Sequence, residues 1–183
     1  MALGEGGPSA LLLYLLAYAF ATVGAFAVVG LVRTYDADGS VRGEATQLAQ
    51  WAGLGRRHPV LAGAMALFLL SFAGIPLTGG FIGKFTAFVA AADGGAWPLV
   101  VVAVVASAAA AFFYVRLIVL MFFTRPGDAV EETRGGGTAP ARAERPGALT
   151  LGALVVCAVG TVGLGVWPTP VLDLLAQAAR FVV

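Results

Sequence analysis

Lys84 is the single lysine of the chain, and the ten other basic residues are all arginines. It follows the run Gly-Ile-Pro-Leu-Thr-Gly-Gly-Phe-Ile-Gly (74–83) inside a long apolar region. A buried lysine can give up its proton, whereas arginine in practice cannot. A charge at bilayer depth costs on the order of 3 kcal/mol or more, so it usually marks a functional path. Gly74, Pro76, Gly79 and Gly80 supply a helix break just ahead of the lysine, Pro by removing an N–H and the glycines by loosening the backbone. An unwound segment frees backbone groups to hold water, which a proton path needs. The chemistry suggested is proton transfer at the Lys84 amino group of a transport protein. The competing reading is a lysine paired structurally with a carboxylate on a partner subunit.

Three further side chains are candidates for the proton path or its support. His58, the one histidine, can take up or give up a proton and stands at the start of the broken region; beside Arg56 and Arg57 it also fits a solvated interfacial residue. Arg116 is the other charge within an apolar run, about two turns from the end of its helix. It can snorkel, so a headgroup or packing role competes with transport. Tyr114 offers a hydroxyl on the same helix. The spanning segments have no Asp or Glu in their interiors. A proton relay needs several titratable groups in series, so Lys84 can be only one station.

The elements that must position Lys84 are membrane helices. Of 183 residues, 60% are hydrophobic and 11% charged, with a mean hydropathy of +0.91. Soluble domains are nearer half apolar and a quarter charged, so an integral membrane protein is expected. Net charge is +1, which gives no basic surface for nucleic acid. One cysteine and one histidine exclude an intrachain disulfide and a credible metal cluster. Glu5, with no basic residue ahead of the first apolar run, makes a cleaved leader unexpected. The predicted fold is all-α, a polytopic helix bundle. A flank (1–9) precedes a transmembrane domain (10–167) with spans at 10–32, 59–92, 97–123 and 148–167, and a tail (168–183) closes the chain.

The second span is the odd one. Unbroken, 59–92 would run ~50 Å at ~1.5 Å per residue, against a hydrocarbon core of ~30 Å. Two full crossings would need about 40 residues or more. The length fits one crossing made of two half-helices broken near 74–80; a kinked or strongly tilted ordinary helix is the alternative. Four crossings put the loops 33–58 and 124–146 on one side. These hold Arg33, Arg42, Arg56, Arg57, Arg125, Arg134, Arg142 and Arg145, whereas the opposite side has none until Arg180. The positive-inside rule then makes the loops cytoplasmic and leaves the termini outside. The tail reads as an amphipathic helix, with Asp173, Gln177 and Arg180 on one face and Val171, Leu174, Leu175 and Phe181 over much of the rest. Small residues at 106–111 and Gly24, Gly30, Gly160, Gly163 and Gly165 read as packing surfaces.

Several motifs resemble one family. They are Tyr14-Leu-Leu-Ala-Tyr18 with Gly24-Ala-Phe-Ala; His58-Pro59 leading to Leu70-Ser-Phe-Ala-Gly74-Ile-Pro76; Gly80-Phe-Ile-Gly-Lys84-Phe85; and Trp167-Pro-Thr-Pro170. Together they are similar to the antiporter-like membrane subunits of respiratory complex I, NADH-quinone oxidoreductase, and most of all to the subunit N branch. The resemblance covers nearly the whole chain and places it at helices eleven to fourteen of about fourteen. It implies a bacterial plasma-membrane protein in which Lys84 occupies the position of a proton-path lysine on a discontinuous helix. The family's glutamate on helix five and lysines on helices seven and eight have no counterpart here. It further implies no cofactor in this chain, with NADH, FMN, iron–sulfur clusters and quinone elsewhere in the complex. The implied partners are the other membrane-arm subunits, the missing N-terminal helices of the same subunit, and lipid. Two alternatives stand beside this one. One is a cation/proton antiporter or membrane-bound hydrogenase subunit; the other is a truncated, non-transporting structural membrane protein.

Overall fold

The computed structural model describes residues 7–35, 38–125 and 141–179. The expectations that rest on Glu5, on 126–140 with Arg134, and on Arg180 and Phe181 lie outside these residues. The fold is an all-α bundle: α1 (Gly7–Leu31), α2 (Leu54–Arg57), α3 (Pro59–Ala73), α4 (Gly79–Asp93), α5 (Trp97–Phe123), α6 (Ala148–Val166) and α7 (Thr169–Ala179). Three of them, α1, α5 and α6, are long and apolar enough to cross a membrane. α1 is the central post, packed against α3, α4, α6 and α7, while α5 lies at the edge against α3 and α4.

Lipid tails are as apolar as the side chains, so helix association here rests on close van der Waals fit and not on a hydrophobic drive. The glycines show where that fit is tightest. A Cβ on Gly24 would run into the Phe68 ring, one on Gly160 would lie 2.9 Å from the Phe20 ring, and one on Gly165 would overlap the Leu77 carbonyl. Gly30 and Gly163, read above with them, face open space in this chain. Phe68, Leu13, Val28 and Met121 are fully buried along these seams.

The segment 59–93 is two helices with a five-residue link, 74–78. α3 stops at Gly74, whose φ of 81° is left-handed. The Ile75 N–H reaches back to the Leu70 carbonyl at 3.1 Å, the 6→1 bond of a Schellman stop. Gly79 and Gly80, expected in the unwound link, instead form the first turn of α4. Their smallness serves contact: a Cβ on Gly80 would overlap the Ser71 carbonyl oxygen, and one on Gly79 would lie 3.0 Å from Leu164 Cβ. α4 therefore starts pressed against α3 and α6. Leu77 is the one non-glycine residue with positive φ (72°) among those described, and its side chain is 70% exposed.

The polar loop 33–58 is more built than its composition suggests. β1 (Val32–Tyr35) pairs antiparallel with β2 (Val41–Glu44) and with β3 (Arg142–Ala143) in the order β2-β1-β3. A 3-10 turn (Leu48–Trp51) and α2 follow β2. Single apolar residues hold this cap: Val32, Trp51, Ala52, Leu54 and Ala141 are buried, and Trp51 Nε1 donates to the Ala45 carbonyl at 3.2 Å. Val32 ends the first apolar run, and the others are too few and too scattered to make a hydropathy run of their own. Arg57 fastens the cap to the second loop, donating to the carbonyls of Ala141 (2.7 Å) and Ala52 (2.9 Å). Burial, then the nearby Arg142 guanidinium, push the Arg57 guanidinium below its ordinary value, though arginine keeps its charge.

α7 packs Val171, Leu172 and Leu175 onto Leu13, Ala17 and Leu164 and leaves Asp173 and Gln177 outside. Leu174, grouped above with the apolar face, is 64% exposed. It follows Asp173 directly, and the helical turn carries it round to the open side.

Candidate functional site

Lys84 is the sixth residue of α4, and three close approaches decide where its side chain goes. Gly80 presses on Ser71 of α3, and its N–H donates to Ser71 Oγ at 3.1 Å. Gly83 crosses α1 so closely that a Cβ would lie 3.1 Å from Tyr14 Cα. A helical side chain leans back over the preceding turn. The Lys84 stem therefore runs back over the Gly80 contact toward the end of α3. There Gly74 leaves the space: a Cβ on it would stand 3.3 Å from Lys84 Cδ.

The amino group ends between two oxygens. Nζ donates to the Phe72 carbonyl at 2.6 Å and to Ser107 Oγ, on α5, at 2.7 Å. The sequence explains why the carbonyl is available. Phe72 would normally accept from the N–H four residues on, but residue 76 is proline and has none. One proline thus ends the helix and exposes the acceptor that the lysine takes. The amino group is held by three chain segments at once, and Lys84 is only 9% exposed.

Both acceptors are neutral. α1, α3, α5 and α6 contain no Asp or Glu, and α4 has one only at its last residue, Asp93. A protonated Lys84 is therefore a net positive charge solvated by oxygen dipoles, with no ion-pair partner among the described residues. A cradle of neutral groups can keep or release a proton without first breaking an ion pair.

Around the cradle runs a row of aromatic rings. Tyr14 and Tyr18 are 4.5 Å apart between centroids, Tyr18 and Phe72 are 5.6 Å, and Phe72 and Tyr114 are 5.7 Å. Tyr18, Thr22, Phe72 and Tyr114 line a cavity of about 260 Å³ beside the site. Phe72 thus turns its carbonyl to Lys84 and its ring to the cavity.

The structure brings Tyr114 near Lys84 through Phe72 and leaves His58 and Arg116 apart from it. His58 joins α2 to α3 and lines a second cavity of about 610 Å³ with Arg57, Glu144, Arg145 and apolar residues of α3 and α6. Arg116 is exposed on α5, with no partner among the described residues. Sequence reasoning placed Ser107 in a small-residue packing stretch and missed it. The signal was present: Ser107 is the one serine or threonine of α5, and it lies seven residues, two turns, before Tyr114. The hydroxyl of Thr161, fully buried on α6, has no hydrogen-bond partner among the described residues. No group of three or more metal-ligating side chains occurs among them.

A lysine cradled at the junction of two half-helices in an apolar bundle defines a class of membrane module, and comparison with known proteins identifies it. A family profile described as "NADH:quinone oxidoreductase/Mrp antiporter, TM" matches residues 1–110, and the chain belongs to that family. Among curated relatives, NADH-quinone oxidoreductase subunit N of Beutenbergia cavernae is 62% identical over 183 residues, 100% of this chain and 33% of the relative. Subunit N of Mycobacterium tuberculosis is 54% identical over 174 residues, 95% of this chain and 30% of the relative. In the structure of respiratory complex I from Thermus thermophilus with bound aureothin, one chain matches with a TM-score of 0.71 and 32% identity, over 91% of this chain and 34% of that one. The chain spans about a third of the length of these relatives.

Proposed function

We propose that this chain is the C-terminal membrane segment of the proton-translocating NADH-quinone oxidoreductase, and that Lys84 holds and passes a proton on its path. The observation that carries this is the Lys84 amino group, buried in a cradle of two neutral oxygens where a crossing is broken. The identity of 62% to a subunit N over the full chain supports the assembly. In this reading Tyr114 borders the path, while His58 and Arg116 support it from the cytoplasmic interface. The chain itself holds no redox group; NADH, FMN, iron–sulfur clusters and quinone act in other subunits. Its partners are those membrane-arm subunits, the remaining helices of its own subunit, and lipid.

Four crossings, at about 10–32, 59–92, 97–123 and 148–167, with the tail from 168 outside, complete the proposal. The sheet supports this count. β1 follows α1 directly and β3 leads into α6, and Val32 pairs with Ala143. Two paired polar strands sit on one side of a membrane. The chain between them must therefore cross an even number of times. α5 accounts for one crossing, which leaves one for α3 and α4 together. Seven of the described arginines, Arg33, Arg42, Arg56, Arg57, Arg125, Arg142 and Arg145, then lie on the sheet side, which by the positive-inside rule supports that side as cytoplasmic.

Lys84→Met in the complete complex tests the reading: NADH-driven proton pumping should fall while the amount of assembled complex holds, and unchanged pumping would sink it. The family description also covers Mrp antiporters. A cation/proton antiporter is thus the second reading, separated from the first by whether the neighbouring genes encode complex I subunits.

A further inference from the structure

Ser107 touches Lys84 across the bundle, and its hydroxyl differs in kind from the other acceptor. The Phe72 carbonyl can only accept a hydrogen bond, whereas a serine hydroxyl can accept and donate. A protonated lysine offers donors only, and both oxygens suit it. A neutral amine has a lone pair that needs a donor. The carbonyl cannot supply one; Ser107 can, by rotating its O–H about the Cβ–Oγ bond with no movement of the backbone. A serine within a helix often bonds back to its own turn, yet Lys84 is the only hydrogen-bond partner of this hydroxyl among the described residues. While Ser107 Oγ accepts from Lys84, its own proton is uncommitted.

We infer that Ser107 is a proton-relay residue through which Lys84 hands on its proton. The step balances simply. One proton leaves Lys84 Nζ for Ser107 Oγ as the serine's own hydroxyl proton passes to a water beyond it. The lysine becomes a neutral amine, the serine stays a neutral alcohol, and the positive charge moves to the water. The proton just received leaves the hydroxyl donating to the neutral amine, and when Lys84 is protonated again the hydroxyl rotates away to accept, so each protonation state of Lys84 finds a matching partner at Ser107. This rests on the reading of Lys84 as a proton carrier.

The test uses the complete complex in sealed vesicles, with the rate of NADH-driven proton uptake normalised to assembled complex. Lys84→Met, Ser107→Ala and Ser107→Thr are compared. The alanine variant should pump on the order of tenfold more slowly, the loss expected of one hydrogen bond to a charged group. The threonine variant, which restores the hydroxyl, should recover most of the rate. A packing role would not be rescued in this way. Full pumping by Ser107→Ala beside a defective Lys84→Met overturns the inference and leaves the Lys84 reading standing. Equal losses in Ser107→Ala and Ser107→Thr, with complex fully assembled, also overturn it. Full pumping by Lys84→Met removes the reading on which both depend.

Discussion

Gly80→Ala is the sharpest test of how the site is assembled. The added methyl would occupy the same space as the Ser71 carbonyl oxygen. That oxygen belongs to the backbone and cannot rotate away, so α4 must move off α3. Overpacking against a rigid neighbour costs about 3 kcal/mol. The Gly80 N–H bond to Ser71 Oγ (3.1 Å) is strained or lost with it, for about 1 kcal/mol more. The sum is about 4 kcal/mol, which for a full-length subunit about three times this length corresponds to a fall of roughly 3 °C in thermal midpoint. Gly63→Ala is the control. It lies on α3, with nothing within 4 Å of the new methyl, and alanine is favoured over glycine in a helix by about 1 kcal/mol. The assay is the thermal midpoint of the full-length subunit in its complex, with proton pumping measured in parallel. Gly80→Ala should lose both, because moving α4 also draws Lys84 Nζ away from the Phe72 carbonyl. Equal midpoints for the two alanine variants would refute the close-contact account of how α4 is placed.

Other substitutions probe separate features. Thr161→Val removes a buried hydroxyl that has no partner among the described residues; it should be neutral or stabilising by about 1 kcal/mol in the same thermal assay. Arg57→Ala releases the Ala52 and Ala141 carbonyls and should cost about 2 kcal/mol, seen as faster protease cleavage near residue 141 in membranes with the arginine-rich side exposed. Arg57→Lys should not repair it, because one ammonium lacks the fork that spans both carbonyls.

The sequence showed the break and the lysine plainly, because proline and glycine punctuate a helix by local chemistry and a lone charge stands out in an apolar run. It misplaced the roles of Gly79 and Gly80. Glycine allows an unusual backbone and also close approach, and only the position of Ser71 on the neighbouring helix tells which is in use. The cap of strands over 32–57 escaped notice because its apolar residues are few and scattered, and its pairing with 142–143 joins segments a hundred residues apart. Ser107 was hidden by its neighbours: among five alanines a serine reads as another small residue until the lysine that reaches it is located. Leu174 shows the limit of a helical wheel, which gives the polar face but not which apolar residues the neighbouring helix covers.

The neutrality of the Lys84 cradle also has an electrical consequence. A lysine bound to a carboxylate would meet the membrane potential as part of a dipole whose two charges nearly cancel. Lys84 faces a carbonyl and a hydroxyl, so, if it carries protons as proposed, each one it takes up adds a charge that none of the described residues compensates. A charge that crosses the full potential changes its energy by about 2.3 kcal/mol per 100 mV, and one that stops part-way takes the corresponding share. In the proposed role, occupancy of Lys84 would answer to voltage as well as to pH, and the site would resemble a small capacitor plate set inside the bilayer.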